Sequence, residues 1–344
     1  MRILIVGPQY PDSFARNISV TFQAMGHQVT SEDGTNTRHH GNRYWTAFSG
    51  NLRRGFPFLE SRSFTALIRR AKALQPELVL ITYGLMPPQV VARLKECGAK
   101  IACWFPDSIS NLYRQYLLAS PFDALFLKEP FMVRTFHEKL GLNAHYLPEA
   151  CNPLWHKRIE VSNAERAAYG CEIAAVGTFH YYRARMLEGF EEYDLKIWGN
   201  NCPPWISSPV KGRYTHHYLA GEEKAKAYRS AKILVNTVLY SEIEGVNCTL
   251  FEAAGCGAFQ IADWKPSLPD LFEPEREVVT FRTCQELKAK VDYYLAHPAE
   301  RQEIAGRAYS RAHREHTYEK RLEKMFEILG LPTEGLVRPA DSAA

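Results

Sequence analysis

Two glutamates, Glu244 and Glu252, lie eight positions apart around a predicted helix start. A carboxylate accepts a pair of hydrogen bonds well from adjacent hydroxyls, so each could bind the diol of a ribose or a hexose. Asn247 lies between them and is a typical N-cap residue. The helix that it opens would present free backbone N–H groups and a positive dipole end to an anion such as a diphosphate. Phosphate and diol recognition together favour binding of a nucleotide sugar.

A structural role explains the same residues equally simply. Glutamate near a helix start is favoured by the helix dipole, and a strand–Gly–helix turn is common to doubly wound proteins. Gly255 and Gly257 follow the predicted helix, so they indicate a helix stop and not a dinucleotide-binding loop. Spacing alone therefore leaves the structural interpretation as the more common one.

The elements that must position these glutamates alternate between short apolar runs and amphipathic stretches. In the first half, the predicted strands are Ile3–Gly7, His27–Thr30, Leu78–Thr82, Lys100–Phe105, Asp123–Leu127 and Ala144–Leu147. After a polar stretch that predicts a linker, Lys157–Gly170, the predicted strands are Ile173–Val176, Leu195–Trp198, Ile233–Thr237 and Ala258–Ile261. The intervening and final helices include Arg185–Glu192, Glu222–Ser230, Cys248–Gly255, Glu286–Ala296, Ala299–Glu315 and Tyr318–Leu329.

Strands that alternate with helices indicate βαβ units and parallel sheets. We therefore predict an α/β protein of two doubly wound, Rossmann-like domains, residues 1–156 and 157–330, with a flexible tail at 331–344. The last helix is expected to pack back on the first domain. Ligands of such sheets bind outside the carboxyl ends of the strands, so a cleft between the two domains is the expected site.

The composition excludes several other classes of protein. A hydrophobic fraction of 46% and a charged fraction of 23% are typical of globular chains. A net charge of +4 is too small to indicate nucleic acid as a partner. The apolar run at Ile3–Gly7 is too short for a signal peptide, and no stretch approaches the roughly 20 apolar residues of a membrane span. The eight cysteines include no C-x-x-C pair, which argues against structural zinc and favours a soluble protein with thiols in the cytoplasm.

The stretch from Glu244 and Gly245 to Glu252 resembles the E-x7-E element of GT-B glycosyltransferases of the family-four type. Residues 251–258 are similar to the spore-maturation CgeB-like branch. The same resemblance extends to Leu271-Phe272-Glu273, Tyr293-Tyr294-Leu295, His316-Thr317-Tyr318 with Arg321, Phe122-Asp123, Tyr146–Ala150 and Asn152-Pro153. It covers roughly residues 1–328 and is strongest over 244–328, which reverses the preference for a structural role.

The resemblance implies a GT-B fold and a glycosyltransferase acting on a nucleotide-diphosphate sugar. Glu252 would bind the ribose hydroxyls, and Glu244, the predicted catalytic residue of this domain, would contact the hydroxyls of the donor sugar. The backbone after Gly245 would hold the phosphate; this segment comprises Val246, Asn247, Cys248 and Thr249. The branch often has a basic residue at the position of Thr249, so its absence places phosphate neutralisation on other groups.

Three further parts of the donor site follow from the same resemblance. The Gly177-Thr178 turn and Arg183 match the first turn of the second domain, where a basic side chain commonly neutralises the diphosphate. A guanidinium can meet two phosphate oxygens at once, although an exposed arginine at a helix start is an equally good explanation of Arg183. Gly199-Asn200 matches a loop that usually lies near the base.

No metal and no cofactor are implied, because GT-B enzymes typically use helix dipoles and basic side chains. The E-x7-E element favours retention of the anomeric configuration. Asp107 follows a predicted strand and is the first-domain candidate for a catalytic base or acceptor contact, with Tyr10 and Asp12 as further acceptor-side candidates. An aspartate after a strand is more often a turn or cap residue.

Residues 52–72 combine six basic side chains with phenylalanines. They could contact an anionic membrane surface at its inner, cytoplasmic face, or an acidic acceptor that is a glycan, a lipid-linked sugar or a protein. A solvated helix face with Phe64, Leu67 and Ile68 on its core side explains them more simply. Two other functions stay open: a catalytically inactive sugar- or nucleotide-binding protein, such as a structural protein of a coat or envelope, and a nucleotide-sugar epimerase.

Overall fold

The structure, a computed structural model, describes residues 1–33, 57–108, 110 and 113–332. The chain divides into two compact units. The first unit comprises Met1–Leu127, Met132–Leu147 and Leu322–Ala344, and the second comprises Lys128–Phe131 and Pro148–Arg321. The predicted tail lies, from residue 333 onward, outside the described residues.

The first unit is built on a six-stranded parallel sheet with the order β2-β1-β3-β4-β5-β6. Its strands are β1 (Arg2–Val6), β2 (Gln28–Glu32), β3 (Leu78–Ile81), β4 (Lys100–Phe105), β5 (Ala124–Leu127) and β6 (Ala144–Tyr146). Its helices are Phe14–Ala24, Pro57–Ser63, Thr65–Leu74, Pro88–Lys95, Tyr116–Ala119 and most of Pro130–Leu140. The central strands read as continuous apolar runs because helices cover both faces of a parallel sheet.

The second unit contains a five-stranded parallel sheet with the order β11-β10-β9-β7-β8. Its strands are β7 (Cys171–Val176), β8 (Leu195–Trp198), β9 (Ala231–Asn236), β10 (Gln260–Asp263) and β11 (Val279–Phe281). Its helices are Asn163–Tyr169, Tyr181–Leu187, Gly221–Ser230, Cys248–Gly255, Leu268–Leu271, Cys284–Ala296 and Pro298–Glu315, and the last helix, Tyr318–Leu329, spans the division between the units.

The strand order reverses between β7 and β9. The chain leaves β7 for β8 on one side, and then returns to pair β9 on the other side of β7. In doubly wound sheets the crevice at such a switch point, outside the carboxyl ends of the strands, is where ligands bind. Here those ends are Val176 and Asn236.

Several sequence-based boundaries are corrected by local capping. The predicted linker contains the helix Asn163–Tyr169, which Ser162 and Glu165 close with a reciprocal capping box. His180 caps the next helix, so that helix is Tyr181–Leu187 instead of Arg185–Glu192. Strand β10 starts later than predicted because Gly257, with φ +70, turns the chain before it. Strand β11 was not predicted, since three residues carry too little periodicity.

No helix within the described part of the chain is long and apolar enough to span a membrane. All eight cysteines are free thiols, and four of them are buried.

Candidate functional site

The helix Cys248–Gly255, here called the site helix, follows strand β9 after the loop of residues 237–247. Its N-cap is Asn247, whose side-chain oxygen accepts a hydrogen bond from the Leu250 N–H at 3.3 Å, which confirms the predicted cap. The amide nitrogen of Asn247 donates to Asn236 Oδ1 at 2.7 Å and to the Thr237 carbonyl at 3.3 Å. These bonds place the positive end of the helix dipole at the switch point of the sheet.

Arg183 reaches the same point from the helix that follows β7. Its Nε donates to Thr237 Oγ1 at 2.9 Å, and its Nη1 donates to the Thr178 carbonyl. Only 8% of the residue is exposed, and burial lowers its pKa to about 10, so the guanidinium is still charged at neutral pH. His180 accepts from the Arg183 N–H at 3.2 Å, which fixes the start of this helix. Arg183 is therefore a buried cation at the carboxyl edge of the sheet and not an exposed arginine.

Two glycines allow the turns beside Arg183 to approach closely. Gly177 has φ +115, and a Cβ there would lie 2.8 Å from Arg183 Nη1. A Cβ at Gly199 would lie 2.4 Å from both the Gly177 carbonyl oxygen and the Tyr214 hydroxyl. The Tyr214 hydroxyl also accepts from the Asn201 N–H at 2.8 Å. The turns after β7 and β8 are thus packed backbone to backbone, with Thr178 and Asn200 exposed.

Glu252, one turn inside the site helix, is paired with a lysine that sequence patterns did not single out. Lys224 Nζ lies 3.1 Å from Glu252 Oε1, and both residues are buried. His156 Nε2 lies 3.9 Å from the same oxygen. Glu252 Oε2 is not part of these contacts. Lys224 was missed because a lysine in an amphipathic helix such as Gly221–Ser230 is normally predicted to be exposed.

The loop before the site helix is held by Glu129, a second residue that the sequence did not reveal. Its carboxylate accepts hydrogen bonds from the N–H groups of Ile243 at 2.9 Å, Glu244 at 3.0 Å and Gly245 at 2.9 Å. A Cβ at Gly245 would lie 2.5 Å from the Lys128 carbonyl oxygen, so only glycine fits. The only available signal was that Glu129 follows strand β5 by two residues.

Glu244 is fixed through its backbone on both sides. Its N–H is bound by Glu129, and its carbonyl accepts from Ser267 Oγ at 2.7 Å and from the Ser267 N–H at 3.1 Å. Its side chain is half-buried. The main chain that carries this carboxylate is therefore pre-organised.

Lys128 and its two carboxylates add to the charge around the site helix. Lys128 Nζ lies 3.1 Å from Glu242 and 3.9 Å from Glu149. Burial by itself lowers the pKa of Lys128, but the two carboxylates outweigh it and the pKa is raised. Burial, followed by the charges of Glu149 and Glu252, raises the pKa of the Cys248 thiol well above its usual value. Cys248 is consequently a neutral thiol and not a nucleophile.

The predicted acceptor-side residues lie in the first unit, after the carboxyl ends of strands β1 and β4. Asp107 is exposed, and its carboxylate accepts from the Ser108 N–H at 2.8 Å. Asp12 has φ +58 and accepts from Asn17 Nδ2 at 3.1 Å. Tyr10 is 55% exposed. Each aspartate thus makes at least one local turn or cap contact.

The basic segment 52–72 is described only from residue 57 onward. Phe64 is buried in the core of the first unit, as are Leu67 and Ile68. Arg70 pairs with Glu32 at 2.7 Å, and Lys72 pairs with Glu96 at 3.2 Å. These contacts match the solvated helix face that the spacing predicted.

Comparisons with known proteins connect this geometry to a family. Residues 181–327, which include Arg183 and the site helix, match the family described as Glycosyl transferase-like. The spore protein CgeB of Bacillus subtilis (strain 168) is 20% identical over 261 residues, which cover 70% of this chain and 79% of that protein.

Solved structures share the fold across almost the whole chain. Sucrose-phosphate synthase from Thermosynechococcus elongatus has a TM-score of 0.67 at 12% identity, covering 95% of this chain and 98% of that one. Anabaena HepE in complex with UDP and glucose has a TM-score of 0.66 at 10% identity, covering 96% and 99%. The GT-B fold, the relation to CgeB and the assignment as a glycosyltransferase are thereby confirmed.

Proposed function

We propose that the protein transfers a sugar from a nucleotide-diphosphate sugar that binds at the carboxyl edge of the second unit's sheet. The observation that carries this proposal is the junction at Thr237. There the cap of the site helix and the buried Arg183 contact the same residue at the switch point. A helix N-terminus and a guanidinium that converge on one point form a binding site for a diphosphate. HepE, which shares the fold, has been solved with UDP and glucose bound.

The diphosphate would be neutralised by protein groups without a metal ion. The N–H groups of Cys248 and Thr249 at the helix start and the guanidinium of Arg183 would donate hydrogen bonds to its oxygens and offset its negative charge. The CgeB-like branch often has a basic residue at the position of Thr249. In this chain Lys224, which lies close to Glu252 on a neighbouring helix, would supply a positive charge instead. No cofactor takes part in this scheme, and the same cations would stabilise the departing nucleoside diphosphate.

The two glutamates of the E-x7-E element would recognise the rest of the donor. Glu252 would bind the ribose hydroxyls through Oε2, while Lys224 holds Oε1. Glu244, on the loop that Glu129 fixes, would contact the hydroxyls of the transferred sugar. Gly245 and Val246 would let the chain approach the phosphate. Gly199-Asn200 and Gly177-Thr178 would border the base and the diphosphate.

The acceptor and the stereochemistry belong to the same proposal. We expect retention of the anomeric configuration, and an acceptor that is a glycan, a lipid-linked sugar or a protein contacted through Asp107, Tyr10 or Asp12. The free thiols suit a cytoplasmic protein. Contact of residues 52–72 with the inner membrane face is the alternative to a solvated helix face, and binding to anionic vesicles tests it.

The proposal is tested by incubating the purified chain with a panel of nucleotide sugars and measuring donor binding, hydrolysis and products. Glu252→Gln should lose donor binding and turnover. Glu222→Gln, an exposed glutamate on the helix of Lys224, is the matched control and should retain both. A wild-type chain that neither binds nor cleaves any donor would refute the enzyme and leave a non-catalytic role. An epimerised donor formed without acceptor would identify an epimerase instead.

A further inference from the structure

A cationic cavity lies at the amino ends of strands β9 and β10 in the sheet of the second unit, whereas the candidate donor site lies at the carboxyl ends of the strands. The cavity has a volume of about 590 Å³ and is lined by residues of the second unit alone. Its basic side chains come from the segment before the helix Asn163–Tyr169, from that helix, from the end of the helix Gly221–Ser230, from strand β9 and from the helix Pro298–Glu315. They are Arg158, Arg166, Arg229, Lys232 and Arg301, of which Lys232 is paired with Glu172 at 3.2 Å. No aspartate or glutamate of the described residues lines the cavity.

The four arginines are not compensated by acidic side chains. Within the described part of the chain, none of them lies within ion-pair distance of a carboxylate. Arg229 donates to the Gly257 carbonyl at 3.4 Å, Arg301 donates to the carbonyls of Tyr294 and Leu295, and the Arg158 guanidinium lies 4.3 Å from the ring centroid of Tyr309. Five other arginines of this unit, in contrast, are paired with a glutamate: Arg185, Arg276, Arg307, Arg311 and Arg314.

These arginines also repel one another. Burial, and then the charges of Arg158 and Arg166, lower the pKa of Arg229. Arg229 Nε is shielded from solvent and has no hydrogen-bond partner among the described residues. Positive charges that are brought together without counter-charges, with a donor left unused, reduce stability unless an anion binds between them.

The local backbone is shaped to accommodate this arrangement. Gly257, with φ +70, lines the cavity, and a Cβ there would lie 2.7 Å from Arg158 Nε. The helix Pro298–Glu315 starts at the cavity, and its N-cap, His297, makes no side-chain cap hydrogen bond. Its uncapped N–H groups and its dipole add to the positive potential.

We propose that this cavity binds a small phosphate-bearing anion, of the size of a diphosphate or a nucleoside diphosphate, as a second site distinct from the donor site. The cavity borders the amino ends of β9 and β10, whereas Arg183 and the site helix lie at the carboxyl edge. Along β9 the two edges are roughly 17 Å apart at 3.3 Å per residue. Four guanidiniums can engage several phosphate oxygens in pairs, and the volume lies within the range of small-molecule sites.

The test is calorimetric titration of the full chain with pyrophosphate at low ionic strength, repeated with ADP. Arg166→Gln combined with Arg229→Gln should weaken this binding at least tenfold and remove one site from the stoichiometry. Arg183→Gln, at the donor site, should leave it intact. Arg185→Gln, which removes an exposed and paired arginine of the same unit, is the matched control. Tighter binding of ADP than of pyrophosphate would show that the site also recognises a nucleoside, and equal binding would show that the phosphates suffice.

The melting temperature without ligand distinguishes a ligand site from a structural cluster. If the arginines are held for an anion, the double variant should melt at the same temperature as the wild type or higher, because repulsion has been relieved. Pyrophosphate should then raise the melting temperature of the wild type by more than that of the double variant, which keeps only the donor site. The proposal is overturned if the double variant binds pyrophosphate like the wild type, if only Arg183→Gln abolishes binding, or if the double variant melts earlier without ligand.

Discussion

Replacing Glu129 by glutamine tests whether the loop before the site helix is pre-organised. The carboxylate accepts hydrogen bonds from three consecutive backbone N–H groups, those of Ile243, Glu244 and Gly245, at 2.9, 3.0 and 2.9 Å. A glutamine keeps the shape but has one acceptor oxygen, and its NH2 group would face N–H donors. At least one of the three N–H groups must therefore lose its acceptor.

The expected size follows from the type of bond that is lost. A hydrogen bond to an ionised acceptor contributes about 1.5–3 kcal/mol, and every 1.4 kcal/mol corresponds to about a factor of ten. Opening of the loop should therefore become roughly ten- to hundredfold more frequent in Glu129→Gln. Hydrogen–deuterium exchange measured by mass spectrometry on a peptide covering residues 239–250 reports this opening. Donor affinity, measured by calorimetry, should fall about tenfold because Glu244 is no longer held in place.

Glu138→Gln is the control for this experiment. Glu138 is an exposed glutamate on the helix Pro130–Leu140, and its substitution should change neither exchange in the loop nor donor affinity. Exchange within twofold of the wild type in Glu129→Gln would refute the argument that the carboxylate holds the loop. Faster exchange with unchanged donor affinity would refute its positioning role while leaving its structural role.

Three further substitutions address the site and the fold. Glu252→Gln removes the negative charge that lies 3.1 Å from the buried Lys224, so we expect a lower melting temperature, consistent with the roughly 3–5 kcal/mol cost of breaking a buried pair, and donor binding weakened at least tenfold in calorimetry. Gly245→Ala would place a Cβ 2.5 Å from the Lys128 carbonyl oxygen, so the loop must shift and donor turnover should be lost. The variant should still fold and show a melting transition. Burial lowers the pKa of His316 to about 4 from 6.5, so the unfolded chain binds the extra proton between these values and stability should fall as pH drops from about 6.5 to 4; in melting curves, His316→Asn should flatten that dependence.

The sequence predicted the fold well where the pattern was long or capped. Strand β4 and the site helix have the predicted bounds, and Asn247 is the predicted N-cap. These elements combine an apolar run or an amphipathic stretch with a recognisable end signal, so local chemistry decides them. Strand β11 was missed because its three residues become a strand only by pairing with β10. The helix Asn163–Tyr169 was missed because none of its residues is buried, which leaves no apolar period to detect.

The candidate site was predicted only as far as it lies on one segment. The spacing of Glu244 and Glu252 and the cap at Asn247 are local facts, readable from neighbouring residues. Glu129 contacts residues more than 110 positions away in the sequence, and Lys224 contacts a carboxylate on another helix. Such pairs are created by the order of strands in the sheet, which periodicity does not reveal.

Net charge illustrates the same limit in another way. Residues 157–344, which contain the proposed diphosphate site, carry slightly more acidic than basic side chains. In the structure, however, two of these acidic side chains, Glu242 and Glu252, are paired with the buried Lys128 and Lys224. Among the described residues, the arginines at the opposite edge have no such partners, so two regions of the same unit differ sharply in local potential although their summed charge is close to zero. Anion binding is therefore decided by which charges are already engaged, and a count of charges cannot give that information.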